Sequence, residues 1–184
     1  MTDSTSSRGA ILKGAFLGAF GTLAVLGGGA WGGANLGLIP ANADAVPSAI
    51  ERRFAQTALD AWLEKNTPPQ ENPMAVNDAN LLAGMKLYKS NCMGCHGDKN
   101  GESAFGRAFY PPAPQLTKGK SPDDADAVLH TLVVHGVRLT GMPAFGGMLK
   151  DDEIWKTVLF VKNLDKLPPA VETEWKKSDT EPAK

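Results

Sequence analysis

The feature that most constrains this chain is the run CMGCH at residues 92–96, which contains both of its cysteines. Two thiols three positions apart, followed directly by a histidine, form the attachment signature of a covalent c-type haem. A short turn would place Cys92 and Cys95 beneath the two vinyl groups of one porphyrin. His96 would then lie under the iron as its proximal ligand. The motif therefore predicts one covalent haem c and its iron.

Other uses of the two cysteines explain less of the pattern. One disulfide would be a weak constraint on 184 residues, and the chain is not rich in cysteine. A thioredoxin-like pair requires a preceding strand and a following helix, whereas a helical pattern precedes this motif and a loop follows it. A Cys2His2 zinc site with His130 and His135 stays open as an alternative. It would leave His96 without a role, and its ligands are spread more widely than in a compact finger.

The N-terminal region predicts a membrane helix. Arg8 and Lys13 precede an uncharged apolar run over residues 14–34, and about 20 such residues cross a bilayer as a helix. Basic residues before the run favour a cytoplasmic tail over residues 1–13 and an exported C-terminal part. We therefore expect a single-pass protein of the bacterial inner membrane with its haem domain in the periplasm, where c-type attachment occurs.

A cleaved signal peptide is the alternative to a retained anchor. Residues 41–43, Ala-Asn-Ala, have the small-x-small pattern that signal peptidase reads. The apolar run is longer than the roughly 7–15 residues of a signal-peptide core, and it ends well before this site. The pattern thus favours an anchor in the lipid bilayer.

Composition limits the classes of function. The formal net charge is −1, from 19 basic and 20 acidic residues, and the absence of a basic patch argues against nucleic-acid binding. The apolar fraction of 42% supports one core, to which a haem would add a flat apolar surface.

The remaining chain reads as helices and loops without a β pattern. Residues 35–77 form a linker that contains an amphipathic helix over 48–66, where Ser48 and Glu51 make a possible capping box. This helix either packs on the haem domain or lies at the membrane surface. The domain spans residues 78–168, with helices over 78–90 and 123–134 and from 151 to a point before 168. Residues 169–184 are predicted to be a polar tail.

A haem held by one histidine needs a sixth ligand, and a thioether suits electron transfer. Met142 is the candidate, because it lies in the glycine- and proline-containing loop TGMPAFG at residues 140–146. Met148 is the reserve. A second histidine, His130 or His135, would instead make a bis-histidine haem of lower potential.

Together these motifs resemble a class I monohaem cytochrome c of the bacterial membrane-anchored type. The resemblance is carried by Gly84-x-x-x-Tyr88, by CMGCHG at 92–97, by Gly141-Met142-Pro143 and by the final amphipathic helix, over residues 78–168. It implies an all-α fold with an N-terminal transmembrane helix, in which Gly84 allows the first and last domain helices to cross closely. It also implies that Tyr88 packs against the last helix near Trp155 and Val158.

The resemblance further implies a set of haem contacts. The carbonyl of Pro114, in the element Pro114-Gln115-Leu116, would accept a hydrogen bond from His96, and Leu116 would support the haem. Arg138, four residues before Met142, is a candidate for the haem propionates.

The expected function is one-electron transfer without enzyme activity, because two axial ligands keep substrates off the iron. Expected partners are membrane-bound redox complexes: a quinol-oxidising complex, a dehydrogenase or a terminal oxidase. The alternative is a haem-based gas sensor or ligand-binding protein in which the methionine is displaced.

Overall fold

The computed structural model describes residues 4–116 and 122–177, and within them it contains helices and one isolated bridge between Asp98 and Gly101. The chain divides into two units, Met1–Ala45 and Val46–Lys184. The helices are α1 Ser4–Asn35, α2 Ala49–Asn66, α3 Asp78–Asn91, α4 Met93–His96, α5 Ala104–Arg107, α6 Asp126–His135, α7 Asp151–Lys162 and α8 Pro169–Lys177. The expected all-α class is confirmed.

The first unit is built on α1, which begins at Ser4, ten residues before the predicted membrane segment. Most of the predicted tail over residues 1–13 is therefore helical, and residues 1–3 lie outside the described part. The section Ile11–Asn35 is long and apolar enough to cross a membrane, and none of it is buried within the protein. A helix suits that environment because it satisfies its backbone polar groups internally.

The second unit begins with α2, which forms where the sequence predicts it. Ser48 is its N-cap, and the Ser48 hydroxyl accepts a hydrogen bond from the backbone N–H of Glu51 at 3.1 Å. The helix buries none of its residues. It nevertheless contacts the rest of the unit through Tyr110 and His135, so of the two locations left open by the sequence, the structure supports packing on the domain.

The core of this unit forms where α3 crosses α7. A Cβ atom at Gly84 would lie 2.0 Å from the carbonyl oxygen of Lys156, so only glycine permits this separation of the helices. One turn later, Tyr88 packs its ring on Phe160 and Trp175. The expected close crossing at Gly84 is confirmed.

Tyr88 packs on the last helix of the predicted domain as expected, but its ring partner there is Phe160, whereas the ring of Trp155 stacks on His130 at 3.9 Å between ring centroids. Tyr88 meets Phe160 because Phe160 follows Lys156, the contact of Gly84, by one helical turn.

The prediction of a polar tail from residue 169 is wrong for residues 169–177, which form α8. Val171 and Trp175 lie one turn apart on this otherwise polar helix, and both are buried. Val171 packs with Leu81 and Leu159, and Trp175 with Tyr88 and Phe160. The domain therefore continues to residue 177, and residues 178–184 lie outside the described part.

Smaller differences concern the helix ends. α6 begins at Asp126 rather than 123, and α7 ends at Lys162. The loop that was predicted to follow the motif contains the short helix α5, and residues 117–121 lie outside the described part.

Candidate functional site

The two thiols and the histidine of the motif lie on one helical turn. Cys92 ends α3, with its N–H donating to the Tyr88 carbonyl at 2.8 Å. The carbonyl of Cys92 then accepts from the N–H groups of Cys95 and His96 at 3.0 and 2.9 Å. Both cysteines are free and half-buried. Burial, with a smaller effect of Cys95, raises the pKa of the Cys92 thiol to about 12. The Cys92 thiol is therefore neutral at physiological pH.

Tyr88 connects the core to the motif, a role beyond the packing that was expected. Its buried hydroxyl donates to the carbonyl of Gly97 at 2.9 Å. Burial raises the pKa of Tyr88 above its ordinary value, and the nearby Cys92 and Asp98 act in the same direction. The hydroxyl therefore stays protonated and remains a donor.

His96 has the partner that the family resemblance implies. Its Nδ1 lies 2.7 Å from the carbonyl oxygen of Pro114, so the Nδ1–H donates and the Nε2 lone pair is free to bind a metal. The N–H of Leu116 also donates to the carbonyl of His96 at 3.0 Å. The half-buried Leu116 side chain packs beside Cys92 and Met93 against the core.

Gln115 is a site residue that sequence reasoning missed. Its side-chain amide donates to the carbonyl of Cys95 at 3.0 Å and accepts from the N–H of Ser103 at 2.7 Å. Ser103 in turn donates from its hydroxyl to the carbonyl of Gly94 at 2.5 Å. The only sequence signal was the position of this amide between Pro114 and Leu116, and its partners show that it holds the motif against the following loop.

Met142 lies in a loop that is tied to the end of α6. The N–H of Val137 donates to the Met142 carbonyl at 3.1 Å, and the N–H of Met142 donates to the Thr140 hydroxyl at 3.1 Å. That hydroxyl donates to the Val137 carbonyl at 2.7 Å. The Met142 side chain is half-buried, whereas the reserve candidate Met148 is 61% exposed. Only Met142 is held by this hydrogen-bonded turn.

The loops that contain Pro114 and Met142 meet at Phe109 and Gly141. A Cβ atom at Gly141 would lie 3.0 Å from a carbon of the Phe109 ring, so the ring rests directly on the glycine. Phe109 was not identified from the sequence. Arg138, the candidate for haem propionates, is exposed on the same loop as Met142.

The remaining histidines are engaged elsewhere. His130 is buried, its Nε2 lies 2.9 Å from Asp151 Oδ1, and its ring stacks on Trp155. Burial lowers the pKa of His130, and Asp151 partly opposes this effect. His135 contacts Trp62 edge to face at 5.3 Å between ring centroids.

The zinc alternative fails on this geometry. Within residues 4–116 and 122–177, no three side chains of histidine, cysteine, aspartate or glutamate are placed to hold one metal ion. The proposed Cys2His2 set is therefore not brought together.

The donor set fits a covalent c-type haem better than a bare metal ion. Two free thiols share one turn, an imidazole presents Nε2 because Nδ1 is already engaged, and a thioether lies in a separate, braced loop. Thiols are the groups that become thioethers to a porphyrin, and imidazole with thioether is a common axial pair.

Part of the chain is similar to a known protein family. Residues 79–161 match the family described as cytochrome c oxidase, cbb3-type, subunit III. No curated protein matches the chain. Among solved structures, a chain of the Kuenenia stuttgartiensis reducing HAO-like protein complex matches with 25% identity and a TM-score of 0.38. The match covers 53% of this chain and 50% of that one, so the present chain spans about half the length of that relative.

Proposed function

Residues 79–161 form a class I c-type cytochrome domain, and on this premise we propose that the chain is a membrane-anchored carrier of single electrons between respiratory redox partners. Such a domain binds haem c covalently and transfers electrons through its iron. We assign one haem to this chain, which Cys92 and Cys95 would attach and whose iron His96 and Met142 would bind.

The observation that carries the proposal is the 2.7 Å contact between His96 Nδ1 and the Pro114 carbonyl. A histidine ligand to a metal typically donates its other ring N–H to a carbonyl or carboxylate, which sets the tautomer and orients the ring. His96 has this arrangement directly beside two free thiols on the same turn.

Met142 is supported as the sixth ligand by the turn that holds it. Both backbone groups of Met142 are hydrogen-bonded, its carbonyl to the Val137 N–H and its N–H to the Thr140 hydroxyl. The bis-histidine alternative is disfavoured, because the ring of His130 is engaged by Asp151 and Trp155.

When bound, the haem supplies reversible oxidation of iron between the ferrous and ferric states. With His96 and Met142 both bound to it, the iron would have no open position for a substrate, so we propose a carrier rather than an enzyme. Arg138 is available for the propionates from its exposed position.

The section Ile11–Asn35 of α1 is proposed as the anchor, retained after export. Arg8 and Lys13 at its start favour a cytoplasmic N-terminus, which puts the haem domain on the periplasmic side of a bacterial inner membrane. The proposed partners are a quinol-oxidising complex, a dehydrogenase or a terminal oxidase. The matched family is described as an oxidase subunit, which supports the last of these, either as a separate partner or as a complex of which this chain is a fixed subunit.

The test is a visible spectrum of the full chain, expressed with a c-haem maturation system and solubilised in detergent. We expect a sharp reduced α band and, in the oxidised protein, the weak long-wavelength band of an iron–methionine bond. Met142→Ala should remove the weak band and lower the potential, whereas the exposed Met148→Ala is the matched control and should change neither.

Two results would contradict the proposal. The absence of haem absorbance would exclude a cytochrome, and an unchanged weak band in Met142→Ala would exclude Met142 as ligand. Rapid binding of carbon monoxide to reduced wild-type protein at neutral pH would favour the gas-sensor alternative.

A further inference from the structure

The helix α2 has no part in the site described so far, yet it touches the site region at two separated points. Near its start, the carboxylate of Glu51 accepts a hydrogen bond from the hydroxyl of Tyr110. Near its end, the ring of Trp62 meets the ring of His135 edge to face at 5.3 Å. Glu51 and Trp62 are eleven positions apart, which is about three helical turns, so they lie on the same side of α2.

Each contact falls on a segment that leads to one of the proposed axial ligands. Tyr110 belongs to the loop that returns to the motif, where the Ala113 N–H donates to the Gly106 carbonyl at 2.9 Å. That loop ends at Pro114, the hydrogen-bond partner of His96. A displacement of Tyr110 would therefore move the segment that orients His96.

His135 lies in a segment that is hydrogen-bonded to the Met142 loop. The carbonyls of Val133 and Val134 accept from the N–H groups of Phe145 and Gly146, both at 3.0 Å. Two residues beyond His135, the Val137 N–H donates to Met142 at 3.1 Å. The last turn of α6, which Trp62 contacts, is thus connected to the Met142 loop by backbone hydrogen bonds both before and after His135.

The two loops also touch each other through Phe109 and Gly141. Phe109 directly precedes Tyr110 in the chain. The Tyr110 loop therefore contacts α2, α2 contacts α6, α6 contacts the Met142 loop, and the Met142 loop contacts the Tyr110 loop again. Since α2 buries none of its residues, it adds little to the core. What it contributes is a rigid connection between the two loops.

We propose that α2 is a clamp that holds the Tyr110 loop and the Met142 loop at a fixed separation, with Glu51 and Trp62 as positioning residues. This inference rests on the proposed function, because it makes α2 control how readily Met142 leaves the iron. Loosening either end of the clamp allows the Met142 loop to move and admits small ligands to the sixth position.

The test uses full-length ferric holoprotein in detergent, with imidazole as the probe. At saturating imidazole, the rate of binding is limited by dissociation of the methionine, and stopped-flow absorbance measures it. The loss of one aromatic contact or one hydrogen bond at this level of exposure corresponds to about a two- to tenfold change in the limiting rate. We expect Trp62→Ala and Tyr110→Phe each to raise the limiting rate within this range.

The clamp also predicts how the two variants combine. Because both contacts act through one helix, the double variant should exceed the faster single variant by less than the product of the two effects. Trp62→Phe should restore most of the slow rate. Glu64→Gln, an exposed carboxylate elsewhere on α2, is the matched control and should leave the rate unchanged.

Hydrogen exchange of the same proteins provides a second readout that does not depend on ligand binding. Exchange should rise in residues 49–66 and 136–146 of Trp62→Ala and stay unchanged in the core helix α3. An unaltered limiting rate together with unaltered exchange over 136–146 would overturn the clamp, as would an equal response of Glu64→Gln.

Failure of the proposed function would appear separately, as wild-type protein without haem absorbance. In that case exchange over 136–146 still decides the inference: a rise in Trp62→Ala supports a clamp on this loop, and no rise overturns it.

Discussion

The two sides of the C-terminal unit are held together by different forces. On one side, α3, α7 and α8 bury large apolar side chains completely, among them Tyr88, Phe160 and Val171. On the other side, the loops around His96 and Met142 are held by backbone and side-chain hydrogen bonds and by few buried side chains. The first side is stabilised by apolar burial, and the second by polar contacts between loops.

This difference indicates which side depends on the cofactor. Three interlocking helices supply their own core, whereas loops that bury little apolar surface are normally the less stable part of a domain. A covalent haem would supply the missing apolar surface to the loop side. Tyr88 links the two sides, because its ring belongs to the core and its hydroxyl bonds the motif at Gly97.

The largest effect on stability is expected from removing a large buried side chain of the core. Trp175→Ala should lower the free energy of unfolding by about 3–5 kcal/mol, because a buried aromatic side chain leaves a cavity. Urea denaturation followed by circular dichroism measures this change. Trp62→Ala, where the ring is 39% exposed, is the control and should cost less than about 1 kcal/mol. Equal losses would mean that α8 is not part of the core.

The helix crossing should be sensitive to a single methyl group. Gly84→Ala places a Cβ 2.0 Å from the Lys156 carbonyl, so α3 and α7 must separate at a cost of about 1–3 kcal/mol. Thermal denaturation of the variant checks this. Gly94→Ala adds the same group on the site side, where nothing lies within 4 Å, and should leave stability nearly unchanged. A neutral Gly84→Ala would show that the crossing is wider than described.

Tyr88→Phe sharpens the comparison at the link between the two sides. The ring and its packing remain, but the buried Gly97 carbonyl loses its donor, at a cost of about 1–2 kcal/mol. Hydrogen exchange should then increase around residues 92–97 more than in α7. If exchange rises evenly over both sides, the hydroxyl contributes only to overall stability and does not connect them.

The smallest effect concerns pH, through His130 at the interface of α6 and α7. Burial lowers its pKa in the folded state, so below about pH 6.5 the unfolded chain takes up the proton first and stability falls as pH decreases. Asp151 opposes the shift, so Asp151→Asn should make this loss on acidification greater than in the wild type. Urea denaturation near pH 7 and near pH 5 measures the loss.

The control for this prediction is His130→Gln, which removes the titrating ring. It should reduce the pH dependence over the same interval. A pH dependence in His130→Gln identical to that of the wild type would exclude His130 as its source.

Much of the site could be predicted because its chemistry is local in sequence. The motif at 92–96 places its thiols on one turn whatever surrounds it, whereas the contact of Pro114 with His96 was expected from the family resemblance. The membrane-type helix followed from composition, whereas the glycine at the α3–α7 crossing was expected from the family resemblance.

The errors arose where distant residues decide the outcome. The segment of α8 is mostly polar, and only the presence of Leu81, Tyr88 and Phe160 makes its two apolar residues core positions. The resemblance placed Tyr88 near Trp155 on the last domain helix, whereas the ring of Tyr88 packs on Phe160 of that same helix.

The sequence by itself therefore determined the attachment turn, the donor residues available for a haem, and the helical class, since each depends on neighbours within a few positions. Only the tertiary structure decided which segments meet: α8 against the core, Phe109 on Gly141, and α2 across both loops. Glu51 and Tyr110 are 59 positions apart, and a contact at that separation depends on how the intervening helices pack. The periodicity of apolar residues shows which face each helix buries, whereas tertiary packing decides which segment that face contacts.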